Sequence, residues 1–303
     1  LNVKMPLGKK HFITNLKWIL FLWTYLCNRS LATSKCQNSD GTNAADWAIL
    51  YKAPAQPNGA AGNWANNPVA VTQNNGHSFA KAIEHVFAPH VDNKFIAYNN
   101  DPPDVPKVRT KSNSKAWIVH TVPGFPKART GYLFPPAEVQ KGHLLICLTI
   151  KEDQIDTIDA QMDSRPNLKK LANGVSRLTP PLTVTQDTTT TGAQSLKVTI
   201  YSKGEKSRYV WTTRDKFLKS DCKTFGRNLK LVTSPISVDG HASSLENDVS
   251  QWIVSEPGNK FCVVDKPYHK SQAKEPAMAV CIDDATIFGH FNRIAQNECK
   301  KFN

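Results

Sequence analysis

Trp117-Ile118-Val119-His120-Thr121-Val122-Pro123-Gly124-Phe125-Pro126 opens with six residues rich in β-branched and aromatic side chains, then breaks into Pro and Gly. That is the composition of a strand followed by a turn. Working outward, runs of the same kind recur at 47–51, 95–98 and 144–150, and again at 196–201, 229–233, 261–264 and 279–282. Helical patterns lie between them. In Ser78 to Phe87, the residues Phe79, Ile83, Val86 and Phe87 repeat at i, i+4, i+7 and i+8, which lines one helix face. Ile155, Ile158 and Met162 repeat the pattern more weakly, as do Ile287, Phe291 and Ile294. Strands alternating with helices predict an α/β (α+β) fold. Linkers are expected at 53–67, at Asp101-Pro102-Pro103 and in the Thr-rich stretch 179–192.

The 303 residues suffice for one large domain or two small ones, and 40% hydrophobic with 21% charged excludes a disordered tail or a multi-span membrane protein. The charge is +13, from 38 Lys and Arg against 25 Asp and Glu. This disfavours a cationic partner and suits a polyanion. Part of it is amino-terminal. Lys9 and Lys10 precede the apolar run 18–27, and Ser30-Leu31-Ala32 follows as a small-residue exit. A basic segment, a short apolar segment and such an exit predict a secretory signal over residues 1–32. About ten apolar residues fall short of the roughly twenty that a membrane span needs. No membrane association of the mature form is expected. Without the signal, 33 cations remain against 25 acids, a charge of +8.

The cut also removes Cys27 and leaves Cys36, Cys147, Cys222, Cys262, Cys281 and Cys299. Six cysteines behind a secretory signal suit up to three disulfides, in any of about fifteen connectivities. No C-x₂-C pair is present, so no structural zinc and no other metal or cofactor is expected.

Several strings then occur in order: Asp46-Trp47-Ala48-Ile49-Leu50-Tyr51-Lys52-Ala53-Pro54, Tyr98-Asn99-Asn100-Asp101-Pro102-Pro103, the decapeptide from Trp117, Lys260-Phe261-Cys262-Val263, and Cys281-Ile282-Asp283-Asp284. Together they resemble the deoxyribonuclease II family over roughly residues 36–299. The resemblance implies a phospholipase D-like sandwich of two pseudo-symmetric halves, with mixed sheets flanked by helices. Residues 33–303 would form one domain from halves at about 33–178 and 193–303, joined by the Thr-rich linker. It also implies the disulfides Cys36–Cys147, Cys262–Cys281 and Cys222–Cys299.

In that family each half delivers one H-x-K motif to a shared cleft. One imidazole attacks phosphorus and carries the phosphoryl group, while the other protonates the leaving oxygen and then activates water. The lysines hold negative charge on the non-bridging oxygens. This chain departs from the pattern there. The motifs align with Arg109-Thr110-Lys111 and Gly258-Asn259-Lys260, so both lysines persist and both histidines are gone. None of the nine histidines is followed two residues later by lysine. A guanidinium stays protonated and has no lone pair for attack. Losing a nucleophile or its base costs about 10⁴ to 10⁶ in kcat. The expectation is a pseudonuclease that acts by binding. An acid endodeoxyribonuclease using other residues, and a structural or immune-interaction protein, stand as alternatives.

His120 lies mid-strand at a position that is functionally sensitive in the family, and a satisfied buried histidine is its default role. Arg109, Lys111 and Lys260 make a cationic pocket if they line a cleft, and a solvated surface otherwise. One further charge feature stands out between residues 203 and 230. Lys203, Lys206, Arg208, Arg214, Lys216, Lys219, Lys223, Arg227 and Lys230 face only Glu205, Asp215 and Asp221, with Tyr201, Tyr209, Trp211, Phe217 and Phe225 interleaved. Cations with aromatics suit backbone neutralisation plus base stacking. An ordinary solvated element whose aromatics fill the core gives the same string. The expected partners are DNA or another polyanion, or a host or extracellular protein. The expected location is extracellular, with a lysosome as the alternative, and oligomeric state is not legible.

Overall fold

The computed structural model describes residues 35–38, 41–56, 60–61, 69–87, 116–127, 130–150, 182–183, 197–202, 209–214, 216, 218–223, 229–255, 258–264, 267–268 and 278–295. The expected signal, the strand 95–98, the Asp101-Pro102-Pro103 turn, the helical pattern at 155–162 and most of the Thr-rich linker lie outside these residues. So do Arg109 and Lys111.

The strands are β1 (Cys36–Gln37), β2 (Ala44–Ala45), β3 (Trp47–Lys52), β4 (Ala60–Ala61), β5 (Ala116–His120), β6 (His143–Thr149), β7 (Leu182–Thr183) and β8 (Lys197–Ser202). They continue with β9 (Tyr209–Trp211), β10 (Lys230–Leu231), β11 (Ile236–Val238), β12 (His241–Ser243), β13 (Trp252–Val254), β14 (Lys260–Val264) and β15 (Met278–Asp283). Helices α1 (Ser78–Ala82), α2 (Glu84–Phe87) and α3 (Ala285–Ile294), with a 3₁₀ turn at Pro136–Glu138, complete the regular structure of the described residues. The fold is mixed α and β, dominated by sheets, as the sequence pattern predicts. A four-stranded sheet runs β4-β3-β6-β5 and a seven-stranded one β10-β9-β13-β14-β15-β8-β7. All their pairings are antiparallel except β10 with β9.

Strand alternation sorts β3 and β6 between two cores. Ile49, Tyr51, Leu144, Ile146 and Leu148 join one cluster with Trp211, Trp252, Phe261, Val263 and Ile282 of the larger sheet. Leu50, Leu145 and Cys147 join a second, with Phe79, Ile83, Val86 and Phe87 from the α1 and α2 segment. Every residue of β6 is therefore buried. The i, i+4, i+7, i+8 face of 78–87 packs as its spacing predicts, but the segment is two helices. At Ile83 the backbone leaves the helical region (φ −112°, ψ 17°), and its amide still bonds the Phe79 carbonyl at 3.2 Å. In α3, Ile287 and Phe291 are buried, and Phe291 stacks on Phe261 with ring centroids 3.7 Å apart. Full burial of each ring contributes roughly 1.5–3 kcal/mol.

Two expected disulfides are formed. Cys36–Cys147 joins β1 to β6 across 111 residues, and Cys262–Cys281 joins register partners on β14 and β15. In the chain-entropy account, closing the longer loop stabilises by roughly 4–5 kcal/mol and the shorter by about 3. Cys222 is also disulfide-bonded, and its expected partner Cys299 lies outside the described residues. Strands β9 and β13, and the β11–β12 hairpin, escape the sequence reading because three-residue strands carry too little periodicity. Strand β7 falls inside the expected linker and pairs with β8.

Candidate functional site

Lys260, the retained lysine of the second motif position, begins β14 directly opposite Asp283 on β15, and its Nζ is paired with the Asp283 carboxylate. Both side chains are about 40% exposed. Alternation along β14 puts Phe261 and Val263 into the inter-sheet core, so Lys260 lies on the opposite face, with Cys262 and Val264. The disulfide to Cys281 flanks the ion pair on that face. Asp284, the next carboxylate, has a different task. It caps α3 by accepting the Ile287 amide at 2.8 Å.

Two residues before Lys260, Gly258 has φ +140°, a backbone state that side chains rarely adopt. A Cβ built there would stand 2.8 Å from Ser255 Oγ. That hydroxyl is held in place, since it accepts the Lys260 amide at 3.1 Å while the Ser255 amide donates to the Lys260 carbonyl at 3.0 Å. The turn is built around glycine. No imidazole fits there without moving it.

His120 ends β5 half-buried. Its Nδ1 accepts the Val122 amide at 3.2 Å, and Phe125 meets it edge-on at 5.4 Å. Burial lowers its pKa to about 4. On the same side, His143 opposes Lys52 in the β3–β6 register and is fully buried. Burial, then the Lys52 charge, lowers His143 to about 3. Glu138 Oε2 lies 3.1 Å from its Nε2. Lys52 donates to the carbonyls of Val139 at 2.6 Å and Lys141 at 2.7 Å, and burial brings its pKa down to about 8.

On the other side of β3, the Tyr51 hydroxyl donates to Asp248 Oδ2 at 2.6 Å, and Trp252 Nε1 donates to the Tyr51 oxygen at 3.2 Å. Ser243 Oγ reaches the same carboxylate oxygen at 2.6 Å, and the Ser250 amide reaches Oδ1 at 2.8 Å. Burial still pushes the Asp248 carboxyl up. Gly142 permits this close approach, because a Cβ there would stand 2.7 Å from Asp248 Cγ. The adjacent Tyr51 and Lys52 serve in the sequence only as part of a motif, and Asp248 escapes sequence reading altogether. The Tyr51-Lys52 pair is the one signal that points to this network. Among the described residues, no three His, Cys, Asp or Glu are grouped to hold a metal ion.

The basic stretch lies only partly among the described residues. Lys203, Lys206, Arg208, Arg227, Phe217 and Phe225 lie outside the described residues. Arg214, Lys216, Lys219 and Lys223 are exposed, and Lys230 is half-buried. An open groove of about 460 Å³ is lined by Arg214, Lys216, Leu218, Lys219, Ser220, Cys222 and Leu231. Arg214 is steadied by a bond from Nη2 to the Val232 carbonyl at 3.0 Å. Two interleaved aromatics do not reach this groove. Trp211 is fully buried, stacked near Trp252 in the core, and the Tyr209 ring lies under Lys230 Nζ at 5.3 Å.

A family model described as Deoxyribonuclease II matches residues 35–207, more than half of the chain. Deoxyribonuclease-2-beta of Rattus norvegicus is 21% identical over 86% of this chain and 91% of the relative. Deoxyribonuclease-2-beta of Homo sapiens is 25% identical over 43% of this chain, which spans 44% of that relative's length. Plancitoxin-1 of Acanthaster planci is 22% identical over 71% of this chain and 74% of the relative. The family match encloses Arg109, Lys111 and His120. It ends before the groove and before Gly258 and Lys260.

Proposed function

Because this chain belongs to the deoxyribonuclease II family, we propose that it is a secreted pseudonuclease that binds DNA without cutting it. One observation carries this. No histidine precedes a lysine by two residues anywhere in the sequence, so neither Lys111 nor Lys260 has the imidazole the family chemistry requires. Phosphodiester cleavage by that route needs a lone pair for attack on phosphorus and a proton for the leaving oxygen. Arg109 has no lone pair to offer, and Gly258 has no side chain.

Local geometry supports the same reading. A side chain at Gly258 would meet Ser255 Oγ from a strained backbone, and Lys260 is already engaged by Asp283. Burial lowers the pKa of His120 to about 4, and its Nδ1 lone pair is used by the Val122 amide. Secretion is supported by the apolar run 18–27 with its small-residue exit and by disulfides, which fit an extracellular or lysosomal setting.

Incubation of the purified protein with supercoiled plasmid from pH 4.5 to 8, with and without EDTA, tests the proposal. Supercoiled DNA is expected to survive at every pH. Efficient nicking that disappears in Lys260→Ala would overturn it.

A further inference from the structure

We propose that Asn75-Gly76 is a site of spontaneous modification, where the asparagine side chain closes on the next backbone nitrogen and opens to isoaspartate. Among the described residues, Asn75 is the only asparagine followed by glycine. Both residues are exposed in the turn that precedes α1. The glycine contributes twice. It has no Cβ to shield its amide nitrogen from the neighbouring side chain, and its φ of +76° is a state that other residues rarely adopt.

The reacting groups are not held elsewhere. Among the described residues, neither the Asn75 carboxamide nor the Gly76 amide has a hydrogen-bond partner. Asn38 and Asn43 contrast with this. Asn38 Oδ1 accepts the amides of Thr42 at 3.0 Å and Asn43 at 3.1 Å, and Asn43 Nδ2 donates to Thr42 Oγ1 at 3.0 Å.

The chemistry involves no oxidation or reduction and consumes only solvent water. The Gly76 nitrogen gives up its proton and bonds to Asn75 Cγ, the Cγ–Nδ2 bond breaks, and ammonia leaves. Water then opens the five-membered succinimide at either carbonyl. Opening at Cγ gives aspartate. Opening at the main-chain carbonyl gives isoaspartate, in which the backbone runs through Cβ and gains a methylene. Both products carry a negative charge where the amide was neutral.

The neighbouring contacts give this change a structural consequence. His77 is fully buried, its Nδ1 accepts the Ala80 amide at 3.2 Å, and its Nε2 donates to the Gln73 carbonyl at 3.0 Å. Tyr132 meets the imidazole edge-on at 5.0 Å, and the Gln73 amide donates to the Ala70 carbonyl at 2.9 Å. Residues 74–76 therefore arch between two fixed points. An added methylene lengthens the arch without widening the gap, so the His77 cap on α1 is the contact that yields.

Purified protein held in neutral buffer at 37 °C for several weeks tests this. Isoaspartate is counted by labelled methyl transfer from S-adenosylmethionine with an isoaspartyl carboxyl methyltransferase. Electron-transfer fragmentation of the tryptic peptide 53–81 locates it, since that peptide also holds Asn58-Gly59. Asn75 is expected to convert about tenfold or more faster than Asn74, because only Asn75 precedes the unhindered glycine nitrogen. In Asn75→Gln, whose longer side chain has to close a six-membered ring, the isoaspartate at this position should be lost. Hydrogen exchange at the Ala80 amide should be faster in converted than in fresh protein. Freshly prepared Asn75→Asp, which has the charge without the methylene, should keep the original protection. Equal rates at Asn74 and Asn75, or an intact Asn75 after the incubation, would overturn the site. Unchanged Ala80 exchange in converted protein, or an equal loss of protection in Asn75→Asp, would overturn its coupling to the cap.

Discussion

Tyr51 and Asp248, 197 positions apart in the chain, meet through a 2.6 Å hydrogen bond that fastens β3 to the loop preceding β13. The tyrosine oxygen also accepts the Trp252 indole N–H, so one hydroxyl serves both a buried carboxylate and a buried ring. Removing it strands the indole N–H and takes one donor from the carboxylate, which keeps Ser243 and the Ser250 amide. Hydrogen bonds to a charged group are worth about 1.5–3 kcal/mol, and an unmatched buried donor adds its desolvation cost. Tyr51→Phe should therefore lower unfolding free energy by about 2–4 kcal/mol, measured from the urea midpoint at pH 7. A change below about 0.5 kcal/mol would show the network to be idle.

The same relationship marks where sequence reasoning stops. Ile287 and Phe291 advertise one helix face because a 3.6-residue period is a local signal, and α3 forms there. Tyr51 and Asp248 share no local signal, since only the tertiary fold brings them together. The basic stretch is an intermediate case. Its charge is legible from adjacency alone. Whether Trp211 stacks on a base or fills the core depends on which face of β9 meets the inter-sheet cluster, and a three-residue strand does not declare that. The motif strings identify the family through Tyr51-Lys52, yet their buried roles emerge only in three dimensions.

Gly258 supplies a second prediction. At φ +140°, with a built Cβ 2.8 Å from Ser255 Oγ, any side chain at 258 strains the β13–β14 turn. Strain of this kind costs of order 1–3 kcal/mol. Gly258→Ala should lower the urea midpoint accordingly. Gly258→His should do at least as much and leave plasmid uncut between pH 4.5 and 8. Ser255→Ala combined with Gly258→Ala should recover part of the loss by removing the clash, while the φ penalty persists. A Gly258→His protein of wild-type stability that nicks DNA would contradict both the turn geometry and the pseudonuclease reading.

Closing the close approach between strand and loop from the other side gives a third. A methyl at 142 would stand 2.7 Å from Asp248 Cγ, in a fully buried site with backbone bonds on either side. The Gly142 amide donates to the Asn247 carbonyl at 2.6 Å, and the Val249 amide donates back to the Gly142 carbonyl at 3.1 Å. Neither partner can retreat cheaply. Gly142→Ala should destabilise by roughly 1–3 kcal/mol, as overpacked cores do. Hydrogen exchange should report faster opening of the Val249 amide. Unchanged protection there would refute the account.

Acid lability follows from the buried histidines. His120 titrates in the folded protein at about 4 and His143 at about 3, both below the ordinary 6.5, because burial disfavours their charged forms. Below pH 6.5 the unfolded chain takes up protons that the folded chain refuses, so stability present above 6.5 is lost as the pH falls toward these values. At about 1.4 kcal/mol per pH unit for each group, His120 alone removes roughly 3 kcal/mol between pH 6.5 and 4. Asp248 works in the opposite sense. Its raised pKa lets the folded chain bind a proton before the unfolded one does, adding stability as the pH drops. Two histidines outweigh one carboxyl, so the net effect is loss. In His120→Asn, the amide oxygen can still accept from Val122 but does not titrate. That variant should flatten the dependence of unfolding free energy on pH between 6 and 4.5 by about one proton, or ~1.4 kcal/mol per pH unit. Urea titrations at four pH values measure the slope, and an unaltered slope would mean that His120 stays protonated in the folded chain.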